Sequence, residues 1–467
     1  MVEAQGFSRR RFLTSSAAGL AVASPLGRLL AAAGTHQRAI EGYGPLEPVA
    51  DESTGLPLLR LPRGFRYISY GWTGDRMRDR TRIPGSHDGM GVVAQRGSRL
   101  ILVRNHEITR DTGSFAPRPH AWDRAAAGGT TSLEFDTVRG RWLDAWPSLT
   151  GTITNCAGGV TPWGTWLSCE EYVHEPGSEA YPLTDQSAED LPRLKRQHGY
   201  VFEVDPSGRG TPEPLYGLGQ FRHEAAVVHP DSGIVYLTED REPTAGFYRF
   251  VPKQKGKLAE GGRLEMLVAE GGADLRTGLT VGQRWRVRWV SIEDPDRGHT
   301  PGLRDGRGVL TQGIAAGASV FIRLEGCVVD GDRIYFAATN GGDAGAGQVF
   351  VLHQGRQELE LWFESGGLDS IYYPDNICVS PRGALVVCED GGRSGQQVFG
   401  LTADGGRFPI ASNQVRLDGE RNNHKGDFSS AEWAGVCFSP DGNWMFANIY
   451  APGFTVAITG PWANGLA

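Results

Sequence analysis

The chain has 467 residues, 47 Lys+Arg against 54 Asp+Glu, and a formal net charge of -7. That balance, with no basic-aromatic stripe, argues against nucleic-acid binding, and 6 cysteines in so long a chain are no disulfide scaffold. The 66 glycines, 27 prolines and 12 tryptophans suit a single large domain with many tight turns and broad sheet-to-sheet cores.

Ser8-Arg9-Arg10-Arg11-Phe12-Leu13, followed by an apolar stretch to about Leu30 and the small run Ala31-Ala32-Ala33, reads as a twin-arginine signal. The apolar stretch is too short and too rich in small residues for a stable membrane span. Residues 1–33 are therefore set apart from the fold, as an address read by the twin-arginine export machinery. The expected location is periplasmic or secreted. Residues 34–64 read as an aperiodic leader wrapped on the surface. Residues 65–72 (FRYISYGW) alternate as a strand, with a partner expected near Phe454 to Ile458. Such a pairing joins the two ends of the chain and removes two sheet edges.

Between these ends one hairpin recurs. The clearest copy is TNCAGGVTPWGTWLSCEE at 154–171, an apolar strand, a turn and a second strand closing on acids. Similar hairpins follow at RHEAAVVHPDSGIVYLTED, RLEGCVVDGDRIYFAAT, YPDNICVSPRGALVVCED and AEWAGVCFSPDGNWMFANI, with a weaker first copy at SHDGMGVVAQRGSRLILVRNHE. The alternating segments TSLEFDTVRGRW, GYVFEVDPSG, AGFYRFVP, GQVFVLHQG and QQVFGLTADGG read as outer strands. Six repeats of this kind predict an all-β, six-bladed β-propeller over residues 65–467. Residues 174–197, 258–317 and 418–430 break the rhythm as insertions, which on a β scaffold often build site walls.

Aligned on the turns, Cys156 falls in register with Glu224, Glu325, Asn376 (beside Asp375) and Glu432, with Asp88 in the first copy. The closing positions align Asn105 to Glu107, Glu170 with Glu171, Glu239 with Asp240, Thr339 with Asn340, and Glu389 with Asp390. A propeller sets equivalent residues in a ring. A ring of carboxylates with one thiol repels itself unless cations neutralise it. Thiolate favours iron, copper or zinc, and carboxylate oxygens favour calcium, magnesium or manganese, so a mixed metal cluster is expected. Cys327, Cys378 and Cys437 lie in apolar runs and read as buried small hydrophobes.

Arg323 stands two residues before Glu325, on the same strand face, and Arg222 adjoins His223 and Glu224. A guanidinium fork beside metals fits an oxyanion, which points to phosphoryl transfer. His223 and His106 are further candidates for metal or proton work.

NCAGG…PWGTW…CEE, RHEAAVV, RLEGCVV, Pro-Asp-Asn-Ile at 374–377, CED at 388–390 and the closing SPDGNWMFANIYAPGFTVAITGPW resemble the PhoX-type alkaline phosphatases over most of the chain. The resemblance implies a propeller whose channel holds ferric and calcium ions, Fe(3+) and Ca(2+), and an exported enzyme that hydrolyses phosphate monoesters. By position it assigns Cys156, Glu224 and Glu325 to iron and Arg323 to phosphate. It assigns Glu170, Glu171, Glu239, Glu389 and Asp390 to calcium. The register favours Cys156 over Cys169 as the thiolate. One departure is the fourth hairpin, which closes on Thr339-Asn340 where others carry acids. The expected assembly is a monomer acting on small phosphate monoesters. The competing readings are a calcium-dependent propeller lactonase or phosphotriesterase, which has no need of Cys156, and a non-catalytic binding propeller.

Overall fold

The computed structural model describes residues 39–116, 121–178, 181, 183–184, 190–368, 370–403, 405–463 and 466. The signal expected at 1–33 lies outside the described residues.

Short apolar runs closed by turns make antiparallel hairpins. They run in order His87–Arg96 with Arg99–His106, Asn155–Val160 with Trp166–Glu170, and His223–Val228 with Val235–Glu239. Leu324–Asp330 with Arg333–Ala338, Pro374–Val379 with Leu385–Glu389, and Trp433–Phe438 with Met445–Ile449 follow. The first strand of each packs beside the first strand of the next, and the last packs against the first, so these strands close a ring. Outer strands extend each sheet away from that ring, as Gly128–Asp136 and Arg141–Thr152 do for the first. The fold is nearly all-β and propeller-like.

The expected pairing of the chain ends is present. Arg66–Tyr70 runs antiparallel to Phe454–Thr459 and completes the last sheet. Buried Trp72 stacks on Phe454 with ring centroids 4.0 Å apart. Neighbouring sheets meet through similar aromatics, such as Phe247 on Phe336 at 4.1 Å. Each fully buried aromatic of this kind is worth about 1.5–3 kcal/mol.

Two segments differ from the sequence reading. The leader is not a plain surface wrap, because Leu46–Val49 and Leu59–Pro62 form strands that extend the fifth sheet at Arg407–Asn413. Buried Asp51 ties them to the last sheet by accepting from the Ser69 amide at 2.7 Å. The stretch 258–317 is only partly an insertion. Gly262–Ala269 and Arg284–Ser291 continue the third sheet, and Arg284 to Arg286 pair with Glu358 to Glu360 of the fourth. The rest holds the helix Gly308–Ala315 and a loop whose Gly306 carbonyl accepts from Arg241 Nη2 at 2.9 Å. No helix among the described residues is long and apolar enough to cross a membrane.

Candidate metal centre

Every first strand carries the same irregularity near its start. Pairing skips two residues between His87 and Met90, Asn155 and Gly158, His223 and Ala226, Leu324 and Cys327, Pro374 and Ile377, and Ala434 and Cys437. A bulge bends the strand and re-aims a side chain. The first bulged residues are Asp88, Cys156, Glu224, Glu325, Asp375 and Gly435. Small residues beside them let the strands come close. A Cβ on Gly158 would lie 1.9 Å from the Leu167 carbonyl oxygen. Polar side chains of the second strands hold the bulged backbone, with Asn105 Nδ2 donating to the Cys156 and Ala157 carbonyls and Thr238 Oγ1 to the Glu325 carbonyl.

The outcome is one continuous acidic string. Ligand atoms lie within 4.8 Å of one another in each of four groups: Asp88, Glu107 and Cys156; Cys156, Glu171 and Glu224; Glu224, Glu325 and Asp375; Asp375, Asp390 and Glu432. Shared members link the groups. Cys156 Sγ lies 3.5 Å from Asp88 Oδ2. Burial, then the neighbouring carboxylates, pushes Asp88 and Glu224 well above the usual carboxylate range, and burial with Asp88 does the same to the Cys156 thiol. Two like charges 4 Å apart repel by about 4 kcal/mol at the effective dielectric of a protein surface. Both carboxylate oxygens of Glu224 are buried with no hydrogen-bond partner. Protonation relieves the repulsion but leaves those oxygens unsatisfied, whereas a cation answers both needs. The donor set therefore fits metal ions, hard oxygens throughout with one soft sulfur.

Of the residues singled out in the sequence, Cys156, Glu171, Glu224, Glu325 and Asp390 come together here. Glu170, Glu239 and Glu389 do not. Glu170 and Glu389 are each the chain neighbour of an acid of the string, and Glu239 is the neighbour of Asp240, which grips Arg323, so alternation turns all three the other way. There each is engaged by hydrogen-bond donors: Glu170 accepts from the Ile153, Gly199 and Tyr200 amides and contacts His198. Glu239 accepts from the Gly246 amide and the Tyr248 hydroxyl, and Glu389 from the Tyr372 and Gln397 amides and Arg393. Cys169 is packed in apolar core with Leu167 and Val201.

Arg323 lies on the string, its Nε and Nη2 on the two Asp240 oxygens at 3.0 and 2.9 Å and Nη2 also on Glu325. Arg222 Nη2 donates to Glu171 Oε1 at 2.8 Å. His223 faces elsewhere. Its Nε2 meets the Gly219 carbonyl at 2.8 Å, its ring lies on Phe221, and burial pulls its pKa down to about 3. It is a neutral imidazole held by core contacts. His106 is likewise buried, on the Gly85 carbonyl and Thr131.

Asp88, Glu107, Asp375 and Glu432 complete the string, though sequence reasoning did not single them out as ligands. The repeat alignment contained their signal. Asp88 and Glu432 stood in the aligned register, Glu107 closed the first hairpin, and Asp375 was one residue from Asn376. The bulge explains that last slip, since Asn376 is its second residue and Asn376 Oδ1 accepts from the Gly435 amide at 3.0 Å. In the sixth hairpin the bulge begins at a glycine, and Glu432 supplies the acid from upstream.

Fold and site define a propeller-like protein with a metal-competent acidic centre. The sequence profile described as alkaline phosphatase PhoX matches residues 41–145 and 143–453. The chain belongs to this family of phosphatase hydrolases. Among curated proteins, none matches it in sequence. In fold it is similar to Pseudomonas fluorescens PhoX in complex with vanadate, a transition state analogue, with a TM-score of 0.64, 17% identity, and coverage of 89% of this chain and 98% of that one. Weaker similarities include an auxiliary nutrient binding protein from Bacteroides thetaiotaomicron (TM-score 0.41, 9% identity, 84% and 76% coverage). Another is the Cps50 (Swd1) β-propeller domain of Myceliophteria thermophila (TM-score 0.35, 10% identity, 83% and 86% coverage).

Proposed function

We propose that this chain is an exported six-bladed propeller enzyme that hydrolyses phosphate monoesters with iron and calcium ions. The carrying observation is Glu224, with both oxygens buried and unpartnered among Cys156, Glu171, Glu325 and Asp375, and Arg323 on Glu325. The thiolate side, Cys156 with Glu224 and Glu325, suits iron; the all-oxygen group of Asp375, Asp390 and Glu432 suits calcium. When bound, such ions polarise phosphoryl oxygens and raise the acidity of water. Arg323 supplies what the ions do not, a directional cationic donor that orients a phosphoryl oxygen. The bidentate grip of its Nε and Nη2 on Asp240 holds the guanidinium rigid. Arg222, on Glu171, adds positive charge at the same rim. The twin-arginine pattern at residues 8–13 supports a periplasmic or secreted location. The natural test is metal analysis of the exported protein with a p-nitrophenyl phosphate assay before and after chelation. Iron and calcium with chelator-sensitive turnover are expected, and metal-replete protein that leaves this ester intact defeats the reading.

A further inference from the structure

Six equivalent backbone positions stand around the acidic centre, one at the entry of each hairpin. In five hairpins the closing residue's amide donates to the entry carbonyl: Glu107 to Ser86, Glu171 to Thr154, Thr339 to Arg323, Asp390 to Tyr373, and Tyr450 to Glu432. The pairing of His223 with Glu239 puts Arg222 in the same place in the third. Ser86, Thr154, Arg323 and Tyr373 share a left-handed backbone there, with φ of 49°, 46°, 42° and 58°. Non-glycine residues rarely adopt this conformation, and it clusters at functional sites. Tyr373 thus occupies, in the fifth hairpin, the position that Arg323 occupies in the adjacent fourth.

The Tyr373 ring is held in a stack. It lies on Tyr372 with centroids 4.3 Å apart and planes 12° apart, and the Arg393 guanidinium sits 5.7 Å from the Tyr372 ring centre on that same assembly. Gly391 closes the back of the stack, since a Cβ there would lie 2.3 Å from Tyr372 Cδ1. Tyr373 is itself partly exposed, and no other ring among the described residues packs on it. Arg323 is near enough to act electrostatically on its hydroxyl.

We infer that Tyr373 determines leaving-group specificity, favouring phosphate monoesters whose leaving group is a flat aromatic ring. The inference rests on the phosphatase reading above. A phosphoryl group gripped at Arg323 presents its ester substituent to the next entry position around the ring, and that position is an immobilised aromatic face. Stacking rewards any planar π system and gives an aliphatic alcohol little.

The test compares p-nitrophenyl phosphate with glycerol 3-phosphate on the metal-loaded full chain. Tyr373→Asn removes the ring while asparagine accepts the left-handed backbone; Tyr373→Phe keeps the ring. Expected for Tyr373→Asn is a KM for the aryl ester raised about tenfold or more, a change under about twofold for the glycerol ester, and an unaltered inhibition constant for inorganic phosphate. Tyr373→Phe should match the parent throughout. Equal loss on both esters, no change on either, or loss in Tyr373→Phe overturns the assignment. Should Tyr373→Asn not fold, the parent decides alone: phenylphosphonate inhibits about tenfold more tightly than methylphosphonate, or the assignment falls. A parent that cleaves neither ester overturns the phosphatase reading and this assignment with it, whereas an active parent whose Tyr373→Asn variant loses equally on both esters, or on neither, overturns this assignment only.

Discussion

Arg323 carries two duties at the residue scale. It neutralises Asp240 and Glu325, and under the proposed function it orients phosphate. The duties separate by experiment, because ligand atoms at Cys156, Glu171, Glu224 and Asp375 do not depend on it. We expect Arg323→Ala to retain its metals and to lose about 10²–10³ in kcat/KM, the usual effect of deleting one donor to a developing oxyanion. Its inhibition constant for inorganic phosphate should rise at least about tenfold, one lost charge-assisted contact. Metal analysis beside phosphate inhibition checks this, and equal inhibition of variant and parent counts against the role. Much at this scale was legible in the sequence. Two-residue spacing placed Arg323 on the face of Glu325. Which of Glu170 and Glu171 faces the site was not legible, because that depends on where the bulge falls and a bulge leaves no mark in composition.

At the scale of the element, the bulge is the unit of construction, and its sixth copy is the most constrained. Gly435 has φ 62°, and a Cβ there would lie 2.6 Å from the Asp88 carbonyl oxygen and 2.8 Å from Met90 Cβ. Gly435→Ala combines left-handed strain with overpacking and should cost about 2–4 kcal/mol. Urea unfolding measures it, and a loss below about 1 kcal/mol would mean that the strands can separate there without penalty. A second element-level support lies behind the acids. Burial alone would lower the pKa of His198, but Glu170, at 2.6 Å, and Asp123 outweigh it and push it up to about 9. A raised histidine pKa gives stability that is fully present below its ordinary value of 6.5 and is lost as pH rises through about 9. His198→Gln should therefore cost about 3–5 kcal/mol near pH 6. The gap between parent and variant should narrow above pH 9, and denaturant titrations in which it stays constant across that range would remove the charge from the explanation.

The whole molecule is organised by convergence, since the acidic string draws on every hairpin, from Asp88 and Glu107 in the first to Glu432 in the last. Cations that bind only the folded string stabilise it by mass action, about 2.7 kcal/mol per site at a hundredfold excess over Kd. Chelation should lower the calorimetric Tm by about 5 °C or more, and an unchanged Tm would mean the string holds no ions. Repeats and turn signals revealed the hairpins at this scale, because each is a local event of a few residues. The leader strands Leu46–Val49 and Leu59–Pro62 escaped notice because their partner at Arg407–Asn413 is some 350 residues away and edge strands show little alternation. The joining of Arg66–Tyr70 to Phe454–Thr459 bears on biosynthesis. While the last strand is still inside the ribosome, the nascent protein is an open horseshoe with an unsealed gap between its first and last sheets. Asp88 and Glu432 stand on either side of that gap, so the two acids come within electrostatic reach of each other only once the last sheet has closed against the first.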